Sequence, residues 1–453
     1  MRFVLNKSFT TLSEQSERTV LVAEAFGLGM DAEKRFQILD NLEADLRPGD
    51  VCFVVGDSGG GKSTLIRLLQ EQIRRAGIFG EVVDDKSLAI SEDEILIEGT
   101  GATFQEALSN LCQAGLGDAY LLIRRYSELS DGQRYRYRIA KMLHSGAKVM
   151  VFDEFLSTLD RDTAKAVAYC LQKIARRERR TLLVATTHED LLEDLNPNIV
   201  ITKEFGSAAR IEYRNPAPFI KHRCSLTDVI TVAESAREAY EQLSEFHYRA
   251  GLPSTTRKIF AMLRNERIIG IIAYSVSPLA SSGRSKFLGY SPSSNEVNRD
   301  FLRISRVVVH PKYRSLGLGA RLVKETLPLC GSKYIETFAV MARFNPFFEH
   351  AGMTRVEYES DSVSQARTIL QKVGVDFRSI GQLSDEEYGR VVEELAKAHP
   401  HFALASVYGH EHKLSKEGLL KDLQDRSFTK RVLAELAIES EDKAYFIWRN
   451  TAL

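Results

Sequence analysis

The 453-residue sequence has no apolar run near the roughly 18 residues that a membrane-spanning helix needs. Its opening stretch, MRFVLNKSFTTLSEQ, lacks the apolar core of a secretory signal. The five cysteines (Cys52, Cys112, Cys170, Cys224, Cys330) form no CxxC pair, which speaks against a disulfide framework and a zinc ribbon. Net charge is missing too, 61 basic residues balancing 61 acidic ones. Internal repeats and low-complexity tracts are absent. These gaps point to a cytoplasmic protein with no membrane role, and the length to two or three domains.

The zero charge hides an asymmetry. Residues 1–220 are net −5, residues 221–375 net +8 and residues 376–453 net −3. A basic middle segment suggests an anionic ligand there, a phosphorylated cofactor or a nucleic acid. From Val20 to about Arg214, β-branched runs alternate with helical patterns, the rhythm of a mostly parallel sheet. VCFVVG, KVMVFDE and TLLVATTH are its buried strands. NPAPFIKHR, residues 215–223, breaks both periodicities and is the linker candidate. Beyond it the pattern predicts an amphipathic helix over 234–248 and a hairpin over 259–276 turning at Arg264–Arg267. It predicts a long loop over 278–299, then strand, turn, helix, strand and a short helix. From 376 the chain reads as mainly helical, with a possible strand at KAYFIW.

The most specific motif is GDSGGGKST: Gly56, Asp57, Ser58, Gly59, Gly60, Gly61, Lys62, Ser63 and Thr64, set between a buried strand and an apolar helix. Glycines there let backbone N–H groups wrap a β-phosphate at a helix N-terminus. Lys62 supplies charge to the β/γ-phosphates and Ser63 a hydroxyl to Mg²⁺. Asp153 and Glu154 end the strand VMVF, placed to hold the metal and to polarise water. LSDGQ (Ser130, Asp131, Gly132, Gln133), LSTLD (ending at Asp160) and His188 complete an ordered set. Over about residues 20–210 this set resembles the ABC ATPases: Walker A, signature, Walker B, D-loop and switch histidine. The resemblance implies Mg-ATP bound between two head-to-tail copies. Ser130 and Gly132 would reach the partner's γ-phosphate, His188 would sense it, and Asp160 would line the interface. Gln105, with Gln113 competing, would be the Q-loop glutamine joining Ser63 and Asp153 around the metal. Phe26 or Phe36 would stack on adenine, though either also reads as core. Only 68 positions separate Lys62 from Ser130, less than transporter ATPases carry, which argues against transport.

The basic segment holds RVVVHPKYRSLGLGARLV, in which Arg314, Gly317 and Gly319 make R-x-x-G-x-G between a strand and a helix. With the preceding hairpin and the later NPFFEHAG it resembles the GNAT acetyltransferases over about residues 225–360. That implies acetyl-CoA, with Val307 and Val309 beside the pantetheine arm. Arg314, Ser315, Leu316, Gly317, Leu318 and Gly319 would hold the pyrophosphate, and Asn345 would lie near the arm. Phe348 stands where the family often has an acid tyrosine, and RISRVVV offers no carboxylate. Glu296 and Asp300 could serve as base through water.

The expected fold class is α/β. An ABC ATPase domain with a short helical subdomain (1–220) precedes an α+β GNAT-like domain (221–375) and a mainly helical segment (376–453). The expected function is ATP binding and hydrolysis in a homodimer, coupled to acyl transfer onto an amine of a macromolecule, tRNA or DNA first. The alternatives are a nucleotide-switched nucleic-acid binder with a non-catalytic GNAT domain, and a transporter ATPase. His399, His401, His410 and His412 read as surface histidines, KIARRERR as a solvated helix end, and Trp448 as core.

Overall fold

The computed structural model describes residues 1–11, 16–28, 34–216, 222–247, 251–339, 346–357, 367–368, 370–375, 384–397 and 444–452. The chain divides into two compact units. The first is Met1–Ile230 with His310–Leu316; the second is Thr231–Val309 with Gly317–Leu453.

In the first unit, β1 (Arg2–Thr11) and β2 (Lys34–Asp45) form an antiparallel ribbon flanking α1 (Glu17–Phe26) in sequence. A six-stranded sheet follows, ordered β4-β5-β6-β3-β7-β8. Strands β3 (Val51–Val55), β4 (Val82–Asp84), β5 (Val149–Phe152), β6 (Thr181–Thr186) and β7 (Ile199–Lys203) run parallel. β8 (Ala209–Tyr213) adds antiparallel to β7. Every residue of β3, β5 and β6 is buried, as continuous apolar runs must be when helices cover both faces. On one face α2 (Lys62–Ala76) packs Leu65, Ile66 and Leu69 with Cys52, Val54 and the ribbon's Phe3, Leu5 and Leu39. On the other, α4 (Asp131–His144) and α5 (Arg161–Glu178) pack Tyr137, Leu143, Val167 and Ile174 against Phe53, Val55 and Phe152. α3 (Phe104–Gln113) adds Leu111 to that second cluster.

The second unit is built on a seven-stranded sheet ordered β14-β15-β13-β12-β11-β10-β9. Its strands are β9 (Ile230–Glu234), β10 (Thr256–Arg264), β11 (Arg267–Val276), β12 (Phe301–Val309), β13 (Tyr334–Ala339), β14 (Thr354–Val356) and β15 (Ala444–Arg449). The hairpin β10–β11 turns at Asn265 and Glu266, both left-handed (φ 48° and 65°), the pairing that a two-residue turn between twisted strands requires. β12 pairs with β13 in parallel over Phe301–Arg303 only, after which the two strands part.

Two expectations fail here. The helix expected over 234–248 breaks, over its described residues 234–247, into two short turns, Glu238–Glu241 and the 3-10 turn Ser244–Phe246. It starts late because β9 takes Glu234 and the Ser235 N–H bonds Ile259 O at 2.8 Å. The long loop over 278–299 is two short helices, α6 (Ser282–Leu288) and α7 (Ser294–Asp300). Its serines and glycine are caps: Ser281 accepts from the Arg284 N–H, Ser293 makes a capping box with Glu296, and Gly289 ends α6 at φ 78°. A buried network fixes this region. Arg284 Nη2 lies 2.6 Å from Glu336 Oε1, and Tyr445 on β15 donates to Glu336 Oε2 at 2.5 Å.

The second unit also contains α8 (Leu318–Thr326), α9 (Phe347–His350) and α10 (Asp385–Lys397). β15, anticipated from KAYFIW, lies between β13 and β14. Trp448 on it is half-buried. His399, His401, His410 and His412 lie outside the described residues.

Candidate functional site

The parallel strands of the first unit end together, the place where open α/β sheets bind ligands. Gly56 follows β3, Asp153 and Glu154 follow β5, and Thr187 and His188 follow β6. A cleft of about 320 Å³ opens there, lined by Ser58, Gly59, Gly61, Lys62, Ser63, Asp153, Glu154 and Thr186 among others. Gly56, Asp57, Gly60 and Thr64 shape the loop without lining the cleft. Gly56 is obligatory: at φ 141° a Cβ would lie 1.9 Å from Lys203 O. Gly61 (φ 97°) caps α2 and leaves no side chain over the loop.

The charges converge on Asp153, which is 8% exposed. Ser63 Oγ donates to Asp153 Oδ1 at 2.9 Å, joining the start of α2 to the end of β5. A hydroxyl and a carboxylate so placed are the hard oxygen donors that suit Mg²⁺. Lys62 Nζ folds back onto Gly56 O (2.9 Å) and Asp57 O (2.6 Å). Partial burial lowers its pKa against the pull of Asp153 and Asp57. Glu154 is exposed and left-handed (φ 60°), which turns it away from the buried strand and into the cleft wall. His188 is half-buried, its N–H on Thr186 Oγ1 at 3.2 Å, and its ring does not line the cleft.

One residue the motifs missed reaches the same carboxylate. Lys86, in the turn after β4, donates to Asp153 Oδ2 at 3.1 Å. Desolvation would lower the Lys86 pKa, but the Asp153 hydrogen bond and charge raise it overall. The structure does not bring Gln105 to this carboxylate. It is exposed in the first turn of α3, and neither it nor Gln113 lines the cleft. A second missed lysine, Lys203, is fully buried with Nζ on Glu204 O and Gly206 O, and packs its stem near Gly61.

The LSDGQ residues open α4 away from this cleft. Ser130 and Gln133 form a capping box, with Ser130 and Asp131 exposed. A Cβ on Gly132 would press to 2.9 Å from Leu159 Cδ2. Asp160 caps α5 through Thr163 and pairs with Lys312 at 3.0 Å. Burial would raise its pKa, but Thr163 and Lys312 hold it below the ordinary value. Phe26 and Phe36 are both exposed and neither is core. In KIARRERR, Arg176 bonds Asn198 Oδ1 and Arg180 bonds Leu143 O, so these two guanidiniums tie the fold together.

The R-x-x-G-x-G turn divides. His310–Leu316 belongs to the first unit. Tyr313 Oη donates to Asp162 at 2.6 Å, Arg314 Nη1 to Gly117 O at 3.1 Å, and Ser315 Oγ to Cys112 O at 2.7 Å. Arg314 also lies 3.7 Å from Asp118. The guanidinium assigned to a pyrophosphate thus has protein partners here. Ser315 (φ 66°) and Gly317 (φ 79°) are left-handed, and Gly317 caps α8. Backbone of this shape gathers N–H groups around an anion. Leu316 is half-buried and the Leu318 side chain is buried. A Cβ on Gly319 would meet Phe347 Cδ2 at 3.6 Å, an ordinary contact, so packing does not demand glycine there.

Val307 and Val309 are half-buried on β12, beyond the point where β13 parts from it. Asn345 lies outside the described residues. Phe348 is buried against Phe347 and Phe446. Hydrogen bonds from Ser293 hold Glu296 below the usual carboxylate range, and Arg299 does the same to Asp300 against slight desolvation. Both are consequently weak bases.

The ABC transporter family model matches residues 39–157, and the acetyltransferase (GNAT) family model matches residues 226–353. The methionine import ATP-binding protein MetN of Mannheimia succiniciproducens is 31% identical over 225 residues, 41% of this chain and 64% of that protein. MetN of Bartonella henselae is 29% identical over 196 residues, 37% and 57% of the two chains. The match thus spans under two thirds of either relative. A post-hydrolysis dimer of the ATP-binding cassette MJ0796 with ADP and Pi aligns at TM-score 0.35 and 17% identity, over 48% of this chain and all of that one. No described helix is long and apolar enough to cross a membrane.

Proposed function

We propose that this chain, an ABC-type ATPase domain joined to a GNAT-family domain, hydrolyses Mg-ATP between two copies of itself and couples that engagement to acyl-CoA-dependent transfer onto an amine. The observation that carries the ATPase reading is the 2.9 Å bond from Ser63 to Asp153 beneath a glycine cradle that Lys203 O keeps clear of side chains. Lys62 swings from its loop carbonyls to the β/γ-phosphates. Ser63 and Asp153 hold Mg²⁺, which when bound offsets the phosphate charge. Glu154 orients the attacking water, and His188, next to the cleft-lining Thr187, turns its ring into the cleft to reach the γ-phosphate. Ser130, Gly132 and Gln133 stand outside their own cleft; a second copy is the simplest source of a nucleotide for them. Asp160 lies at that junction.

The coupling reading is supported by the grouping of His310–Leu316 with the ATPase unit, through Lys312 on Asp160 and Tyr313 on Asp162. Dimer engagement that moves Asp160 bears on the turn leading into Gly317 and Gly319. The test is desulfo-CoA titration of Glu154→Gln protein with and without saturating Mg-ATP. The reading expects affinities differing by about tenfold or more; equal affinities refute coupling. A second reading, ligand binding without transfer, is favoured by the buried Phe348 and the weak bases Glu296 and Asp300. Labelled acetyl-CoA in a single-turnover assay with polyamine, tRNA and DNA separates the two.

A further inference from the structure

We propose that Lys86 is a resident counter-cation for Asp153, so that this cleft accepts a nucleoside triphosphate before Mg²⁺ arrives. The inference rests on the reading that the cleft binds ATP. Asp153 is an almost buried carboxylate at the floor of a site shaped for a polyanion, where like charges repel strongly at short range. Both its oxygens are already engaged: Oδ1 by the Ser63 hydroxyl and Oδ2 by the Lys86 ammonium. Among the described residues Lys86 is the basic side chain paired with it; Lys62 is turned back onto Gly56 and Asp57.

The placement is built by the fold. β4 runs parallel beside β5 with Asp84 opposite Val151, so the residues two further along each strand, Lys86 and Asp153, come side by side. The turn is fixed by Asp84, whose Oδ1 accepts the Lys86 N–H at 2.9 Å and whose carbonyl accepts Ser87 Oγ at 2.7 Å. The Lys86 side chain is 50% exposed, and its flexible stem lets the ammonium leave Oδ2 for the incoming phosphates. An ammonium cannot ligate a metal. Lys86 therefore supplies charge and no metal-ligating oxygen, and Ser63 and Asp153 are the side chains beside it that would hold Mg²⁺.

The test is calorimetric titration of ATP into the full chain, in EDTA and in Mg²⁺, for wild type, Lys86→Gln and Lys86→Arg. In wild type the two affinities should lie within about tenfold of each other. Lys86→Gln should lose a further tenfold or so in EDTA, the scale of one lost charge-assisted hydrogen bond, with Mg-ATP affinity changed less than about threefold. Lys86→Arg should follow wild type. Equal losses in both conditions, or none in EDTA, overturn the counter-cation role. Wild type that binds no ATP in either condition refutes the nucleotide reading of the cleft instead.

Discussion

Replacing Arg284 by alanine should unfold the second unit at a much lower temperature while sparing ATP binding. The Arg284 and Glu336 side chains are 1% and 0% exposed. The guanidinium bonds both carboxylate oxygens, at 3.0 and 2.6 Å, and two backbone carbonyls, Leu279 O at 3.0 Å and Pro278 O at 2.7 Å. Its removal leaves the buried Glu336 carboxyl without its counter-ion, with the Tyr445 hydroxyl as its side-chain donor. Breaking such a pair costs about 3–5 kcal/mol. In a core of this size that corresponds to a melting shift of about 6–20 °C. Differential scanning calorimetry of the full chain reads this directly. ATP stabilises the first unit by mass action, so the transition that ATP leaves in place belongs to the second. The double variant Arg284→Met/Glu336→Leu removes both charges and should recover at least half of the loss. A single variant melting within about 2 °C of wild type would refute the reasoning.

Other expectations follow from the two sites. Lys62→Ala should weaken ATP binding about a hundredfold in calorimetry, since the backbone cradle alone cannot offset the β/γ charge. Gly319→Val should lower desulfo-CoA affinity about tenfold or more with little change in melting, because a Cβ there meets Phe347 at an ordinary 3.6 Å. Burial pushes the thiols of Cys52, Cys170 and Cys330 up to about 12 and that of Cys112 up to about 11, and raises Cys224 as well. Iodoacetamide at pH 8 should therefore leave the native chain unmodified and label all five cysteines in guanidinium.

Much of the nucleotide site was legible because its demands are local. A buried strand, a glycine loop and a helix start lie within one short stretch, and Gly56 admits no Cβ. Lys86 was not legible. Its neighbourhood with Asp153 exists only because β4 and β5 pair, and they are far apart in sequence. The position of Gln105 was not legible for the same reason: a glutamine opening a helix looks alike whether the helix starts at the cleft or away from it. In the second unit the hairpin was readable from two apolar runs parted by a short polar turn at Arg264–Arg267. The two short helices α6 and α7 were hidden because their capping serines and closing glycine have the composition of a loop. The ribbon escaped because it buries only a few scattered side chains, Phe3, Leu5, Leu39 and Ala44 among its described residues.

The account's central claim is that ATP is hydrolysed between two copies of this chain. Light scattering on Glu154→Gln protein in saturating Mg-ATP tests it most directly. Hydrolysis should stall, and the measured mass should double relative to nucleotide-free protein and return to monomer on ATP removal. A monomer at saturating Mg-ATP, with nucleotide binding verified in the same sample, would contradict it.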